Sequence, residues 1–113
     1  SRELRTPICL DESLTSIGAI EAAAALEACS VACLKPSRLG GWATARAAHD
    51  RCVDLGLRPW VGGMLETAIG RAANQALAAL PGMALPADLD PRGWFGDDLA
   101  EIGRPGPYRT VEV

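Results

Sequence analysis

Lys35-Pro36-Ser37-Arg38-Leu39-Gly40-Gly41 follows directly on Val31-Ala32-Cys33-Leu34, so a charged amine stands at the end of a four-residue apolar run. Pro36 disfavours the helical region at Lys35, and a continuous apolar run is what a parallel strand covered on both faces requires. Two other stretches have the same form. Ile8-Cys9-Leu10-Asp11-Glu12-Ser13 places Asp11 twenty-four residues before Lys35, and Trp60-Val61-Gly62-Gly63-Met64-Leu65-Glu66-Thr67 lies about as far after it. Each is a short apolar segment that ends in polar or glycine residues and runs into a helical pattern. The repeating unit is strand then helix, with its chemistry-bearing residues at one end.

The segments between these stretches support the reading. Ser16 can cap a helix with the stripe Ile17, Ile20, Ala24 and Glu27, ending near Ala28. From Trp42, Ala45, Ala48, Cys52 and Leu55 keep helical spacing, and Gly56 is a natural residue just past a helix end. Leu57 to Val61 reads as a third strand, and Ile69, Ala73, Ala76 and Leu80 mark a third helix stopped by Pro81-Gly82. Met83-Ala84-Leu85-Pro86 is expected to form a short fourth strand, residues 88 to 107 irregular structure, and Tyr108 to Val113 a final strand.

Strands alternating with helices through short loops require a parallel sheet and right-handed crossovers. The fold class expected is therefore α/β. A unit of about 25 to 28 residues suits an eight-fold barrel of ~250 residues, of which this chain supplies about half. Half a barrel leaves two sheet edges and an unfinished interior. The expectation is a piece of a larger polypeptide, partnered by the remaining half of the same barrel.

Composition narrows the function. With 113 residues, 49% hydrophobic and 22% charged, the chain is of globular type. A net charge of −3 without a basic run argues against nucleic acid as partner. No run of eighteen apolar residues exists, and Ser1 to Thr6 lacks the apolar segment of a signal peptide, so no membrane association is expected and the cytoplasm is the expected compartment. Cys9, Cys29, Cys33 and Cys52 read as buried free thiols, with zinc or disulfides the lesser alternative, and a single histidine excludes a multi-histidine metal site. His49 is expected on the polar side of the second helix in a surface role, and Trp42 and Trp60 as packing residues.

In a barrel, the C-terminal strand ends converge on one pocket, and Asp11, Lys35 and Gly62 to Leu65 all occupy such ends. Singly, Asp11 reads as a turn or cap, Lys35 as a solvated strand end and Gly62-Gly63 as a turn; their recurrence in three successive units favours a site. A carboxylate and an amine around one cavity suit a reaction in which a bound cation stabilises an anion while lysine moves a proton. A lysine with a pKa near ~10.4 must be lowered by desolvation and nearby positive charge to act as a base at neutral pH. One carboxylate holds Mg²⁺ poorly, so further ligands are required.

Thr6-Pro7-Ile8-Cys9-Leu10-Asp11-Glu12-Ser13, Leu34-Lys35-Pro36-Ser37-Arg38-Leu39-Gly40-Gly41 and Trp60 through Arg71 (WVGGMLETAIGR) closely resemble the enolase superfamily, in the branch that contains o-succinylbenzoate synthase and N-acylamino acid (N-succinylamino acid) racemase. The resemblance runs from about Thr6 to Leu99. It implies a modified TIM-type (β/α)₇β barrel with a capping domain, these motifs falling on its fifth, sixth and seventh strands. Residues 1–100 would be the C-terminal half of the barrel and 101–113 a tail.

The same resemblance implies a metal ligand at Asp11 for Mg²⁺ or Mn²⁺, an acid/base lysine at Lys35, and a substrate-bordering segment at Gly63, Met64 and Leu65. Glu12 and Glu66 are candidate supporting residues. Enolase-superfamily sites are themselves a standard example of a lysine or histidine base working beside Mg²⁺. The implied chemistry is removal of the proton α to a carboxylate of a small molecule, with the metal stabilising the enediolate. In the synthase, on the route to menaquinone, an opposing lysine removes the proton and Lys35 is mainly an electrostatic stabiliser; in the racemase two lysines exchange roles. A homo-oligomer is expected, and a non-catalytic half-barrel that self-associates is the alternative from a different class. Ser37 and Ala68 replace usual glycines, and Cys33 stands where asparagine is common, on the strand face of Lys35.

Overall fold

The computed structural model describes residues 3–89 of the 113. Three parallel strands, β1 (Cys9–Leu10), β2 (Val31–Leu34) and β3 (Arg58–Val61), lie side by side in sequence order. Helix α1 (Ile17–Ala25) links β1 to β2, α2 (Trp42–Asp54) links β2 to β3, and α3 (Ala68–Ala78) follows β3. The register sets Cys9 beside Val31, Leu10 beside Ala32, and Leu34 beside Val61, so β2 and β3 finish level and β1 stops two residues short of them.

Local chemistry sets the element ends. The Ser16 hydroxyl accepts from the Ala19 N–H at 3.1 Å and starts α1, which ends at Ala25; the chain then turns through Glu27 at φ 50° rather than near Ala28. Leu55 caps α2 and Gly56 follows at φ 73°, the left-handed step a helix exit commonly takes. Thr67 caps α3 by accepting from the Gly70 N–H.

The pleat divides the sheet's two faces. Ala32, Leu34 and Val61 pack into one core with Leu14, Ile20 and Ala23 of the first strand-helix unit, Ala45, Ala48 and Cys52 of α2, and Leu77 of α3. Val31 and Cys33 are buried but stand outside that cluster, on the opposite face with Lys35. The helices thus cover one face, and the other carries the candidate site.

Four expectations need correction or restriction. His49 is buried rather than at the surface, because 45, 48, 49 and 52 fall on a single helical stripe. Trp42 is 40% exposed, and its indole N–H donates to the Ala73 carbonyl at 3.1 Å, so it ties α2 to α3 from outside the core. Cys9 is exposed and receives the Trp60 indole N–H at 3.3 Å. Residues 83–86 form no strand. Instead the Ala84 N–H donates to Pro59 O, the Asp88 N–H to Val61 O, and the Gly63 N–H to Asp88 O, with a parallel bridge between Gly62 and Asp88. Pro86 has no N–H to give and breaks the ladder between those contacts. The strand expected at Tyr108 to Val113 and the 101–113 tail lie outside the described residues. Among the described residues no helix is long and apolar enough to cross a membrane.

Ile20 is fully buried and Leu26 is 73% exposed. Ile20→Ala should therefore cost about 2–5 kcal/mol of unfolding free energy, while Leu26→Ala stays within about 0.5 kcal/mol of the parent in urea titrations.

Candidate functional site

Asp11 follows β1 directly and Lys35 follows β2. The strands are parallel and β1 stops two residues short of β2, so the long Lys35 side chain spans the offset: its Nζ donates to Asp11 Oδ2 at 2.8 Å. Arg38, one turn beyond Lys35, donates through an Nη to Asp11 Oδ1 at 2.5 Å. The turn is fixed by the Arg38 and Leu39 N–H groups donating to Lys35 O. One carboxylate therefore holds two cations, one on each oxygen, and all three side chains are partly buried. Ser16, not Asp11, supplies the cap; Asp11 opens a turn through its carbonyl, which accepts from the Leu14 N–H at 3.0 Å, while its carboxylate is held by Lys35 and Arg38.

Burial acts most strongly on the Asp11 carboxyl and would raise its pKa, but the hydrogen bonds from Lys35 and Arg38, with their charges, outweigh it and hold the carboxyl below its usual range. Lys35 moves the other way. The hydrogen bond to Asp11 is the largest influence and exceeds the opposing effect of desolvation, so the ammonium titrates above the ordinary lysine value. In this arrangement Lys35 is a proton donor and a fixed positive charge. The lowered pKa expected of a lysine base is not what this pairing gives.

The glycine segment reaches the same end of the sheet. Gly63 is held against the chain by its N–H bond to Asp88 O at 2.7 Å. Met64 and Leu65 project from the loop, 48% and 66% exposed. The Ser37 hydroxyl donates to Met64 Sδ at 3.1 Å, joining the loop after β2 to the loop after β3. Glu66 is turned toward α3: its backbone carbonyl accepts from Arg71 at 3.0 Å and its carboxylate accepts from Asn74 Nδ2. Glu12 is exposed, and no hydrogen bond joins it to the Asp11 cluster among the described residues.

Arg38, Arg71 and Asn74 were not anticipated. Arg38 had a signal, since it sits three residues past Lys35 in the same turn. Asn74 is almost fully buried, at 1% exposure, and only tertiary packing shows that its partner is Glu66.

Asp11 suits one position in a divalent metal site, as a partly buried carboxylate at a strand end, yet both its oxygens are engaged by cations. Among the described residues no group of three histidine, cysteine, aspartate or glutamate side chains could hold a metal ion. This part of the chain offers one ligand, and a complete coordination set needs carboxylates from elsewhere.

Three strand-helix repeats in sequence order, with the helices on one face and a carboxylate and an ammonium at neighbouring strand ends, are the arrangement of an α/β barrel segment with its site at the C-terminal face. Residues 1–105 match the family model for the enolase C-terminal domain-like group, and the chain belongs to that family. It is 50% identical over 88 residues to an N-succinylamino acid racemase from Amycolatopsis sp, covering 78% of this chain and 24% of the relative. It is 42% identical over 97 residues to the o-succinylbenzoate synthase of Bacillus subtilis (strain 168), covering 86% of this chain and 26% of the relative.

Among solved structures, a probable mandelate racemase from Alicyclobacillus acidocaldarius superposes with a TM-score of 0.79 at 42% identity, over 88% of this chain and 27% of that one. A dipeptide epimerase from Enterococcus faecalis V583, solved with Mg and the dipeptide L-Leu-L-Tyr, gives 0.72 at 28% identity over 78% of this chain and 25% of that one. The chain spans about a quarter of the length of the relatives it matches. Its fold is the C-terminal part of a TIM-type barrel of the enolase superfamily.

Burial pushes the Cys33 thiol up to about 12 and the Cys52 thiol up to about 11, and raises Cys29 as well. All three stay protonated at pH 8, and only Cys9 is exposed. Ellman's reagent at pH 8 should therefore modify one thiol quickly in the native chain and all four in guanidinium. Rapid native modification of three or more would contradict the burial of β2 and α2.

Proposed function

We propose that this chain is the C-terminal part of the barrel of a metal-dependent enzyme that removes the proton α to a carboxylate, and that its activity is o-succinylbenzoate synthesis with N-succinylamino acid racemisation beside it. The observation that carries the proposal is the Lys35 ammonium held 2.8 Å from the Asp11 carboxylate, on the ends of adjacent parallel strands. Relatives named for both activities support it.

In this reading Lys35 lies beside the reacting carbon and Asp11 is one of several carboxylate ligands to Mg²⁺ or Mn²⁺, the others coming from the remaining part of the barrel. A bound divalent ion supplies positive charge for the substrate carboxylate as its α-proton leaves. Lys35, charged at neutral pH, stabilises the negative charge that develops next to it, which is the role the synthase requires. Arg38 holds the second oxygen of Asp11 and so fixes the carboxylate's orientation. Gly63, Met64 and Leu65 border the substrate, with Met64 tethered by Ser37. Glu66 keeps that loop in place through Arg71 and Asn74. Glu12 takes no part that the contacts support.

The enzyme would work in the cytoplasm, as a homo-oligomer, on a small carboxylate in menaquinone biosynthesis. Racemase as the main activity is the second reading, favoured by the 50% identity to the Amycolatopsis protein.

Lys35→Ala in the full-length enzyme should lower turnover at least ~10²–10⁴-fold with the fold retained. Retained turnover would remove the assignment. Comparing the full-length enzyme's turnover on the cyclohexadiene substrate and on an N-succinylamino acid separates the two readings: the synthase reading expects the first to be faster.

A further inference from the structure

Gly62 is the first residue after β3, and its backbone is fenced on both sides. Its N–H donates to Leu34 O at 3.1 Å on the β2 side, and a parallel bridge joins it to Asp88 on the other. Its backbone is outside the left-handed region, so conformation does not demand glycine here. Space does. A Cβ at this position would sit 2.6 Å from Cys33 Sγ, 2.8 Å from Lys35 Cε and 3.6 Å from Lys35 Cγ. Cys33 is 2% exposed within the central strand and has no room to retreat. The Lys35 chain end is the one movable neighbour, and Cε carries the ammonium that reaches Asp11.

We propose that Gly62 is a positioning residue for Lys35: the absent side chain at the end of β3 is the space along which the lysine stem lies, and Cys33 forms the floor that keeps it there. The proposal rests on the reading of Lys35 as the group that acts at the α-carbon. A methyl group at residue 62 has to push the lysine stem aside, and displacement of a reacting group by about 1 Å costs on the order of 10²-fold in rate. Substrate contacts made by the 63–65 loop are left alone, so binding should change little.

The test uses the full-length enzyme with both the cyclohexadiene and the N-succinylamino acid substrates. Gly62→Ala should lower kcat about 10²-fold with KM within about threefold of the parent. Adding Cys33→Ala removes the sulfur, lets the new methyl settle into its place, and should recover kcat at least about tenfold over Gly62→Ala alone. A Gly62→Ala enzyme with parental kcat overturns the proposal, as does a loss of kcat that Cys33→Ala fails to relieve. If both variants fail to fold, Gly62 is a packing residue and the proposal is equally overturned. Lys35→Ala measured alongside separates the two layers of argument. If that variant keeps full turnover, the functional reading itself is wrong; if it is inactive while Gly62→Ala is unimpaired, only the positioning role of Gly62 fails.

Discussion

One carboxylate shared by two cations organises the working end of this chain. Asp11 can accept from Lys35 and Arg38 together only because β1 and β2 are parallel and in a register that sets Leu10 beside Ala32. A one-residue slip would turn every side chain of a strand to the opposite face. Lys35 would then face the helices with Cys33, and the buried core residues Ala32 and Leu34 would face the site. The core therefore specifies the site: the same pleat that commits Ala32, Leu34 and Val61 to the helices commits Cys33, Lys35 and Gly62 to the other face.

The charge arrangement has a chemical consequence. Asp11 raises the affinity of Lys35 for its proton, so in this pairing the lysine is held as an ammonium. A fixed cation beside a developing negative charge is an efficient stabiliser and a poor base. A change at Asp11 would alter this balance, which makes that carboxylate's second partner, Arg38, as consequential as its first.

Much of this was legible in the sequence. Val31 to Leu34 announced a buried parallel strand, Gly56 a helix exit, and Asp11 and Lys35 the ends of adjacent strands, since period and turn chemistry are local properties. The misses arose where tertiary packing decides. His49 was assigned to the solvent face by its polarity, although its position in the stripe with Ala45, Ala48 and Cys52 already pointed inward. The stretch 83–86 had strand-like composition, but its proline left the third strand's edge to be met by Ala84 and Asp88 instead. The Asn74 to Glu66 contact spans eight residues across a loop and a helix cap, and no spacing rule brings the two together.

The most direct measurement of the central claim is exchange of the α-proton of an N-succinylamino acid in D₂O, followed by NMR for each enantiomer separately with the full-length enzyme and its Lys35→Ala variant. A fixed charge that stabilises the deprotonated α-carbon serves both enantiomers. The account predicts that the variant slows exchange with both enantiomers. Parental exchange rates with both would contradict a role for Lys35 at the reacting carbon.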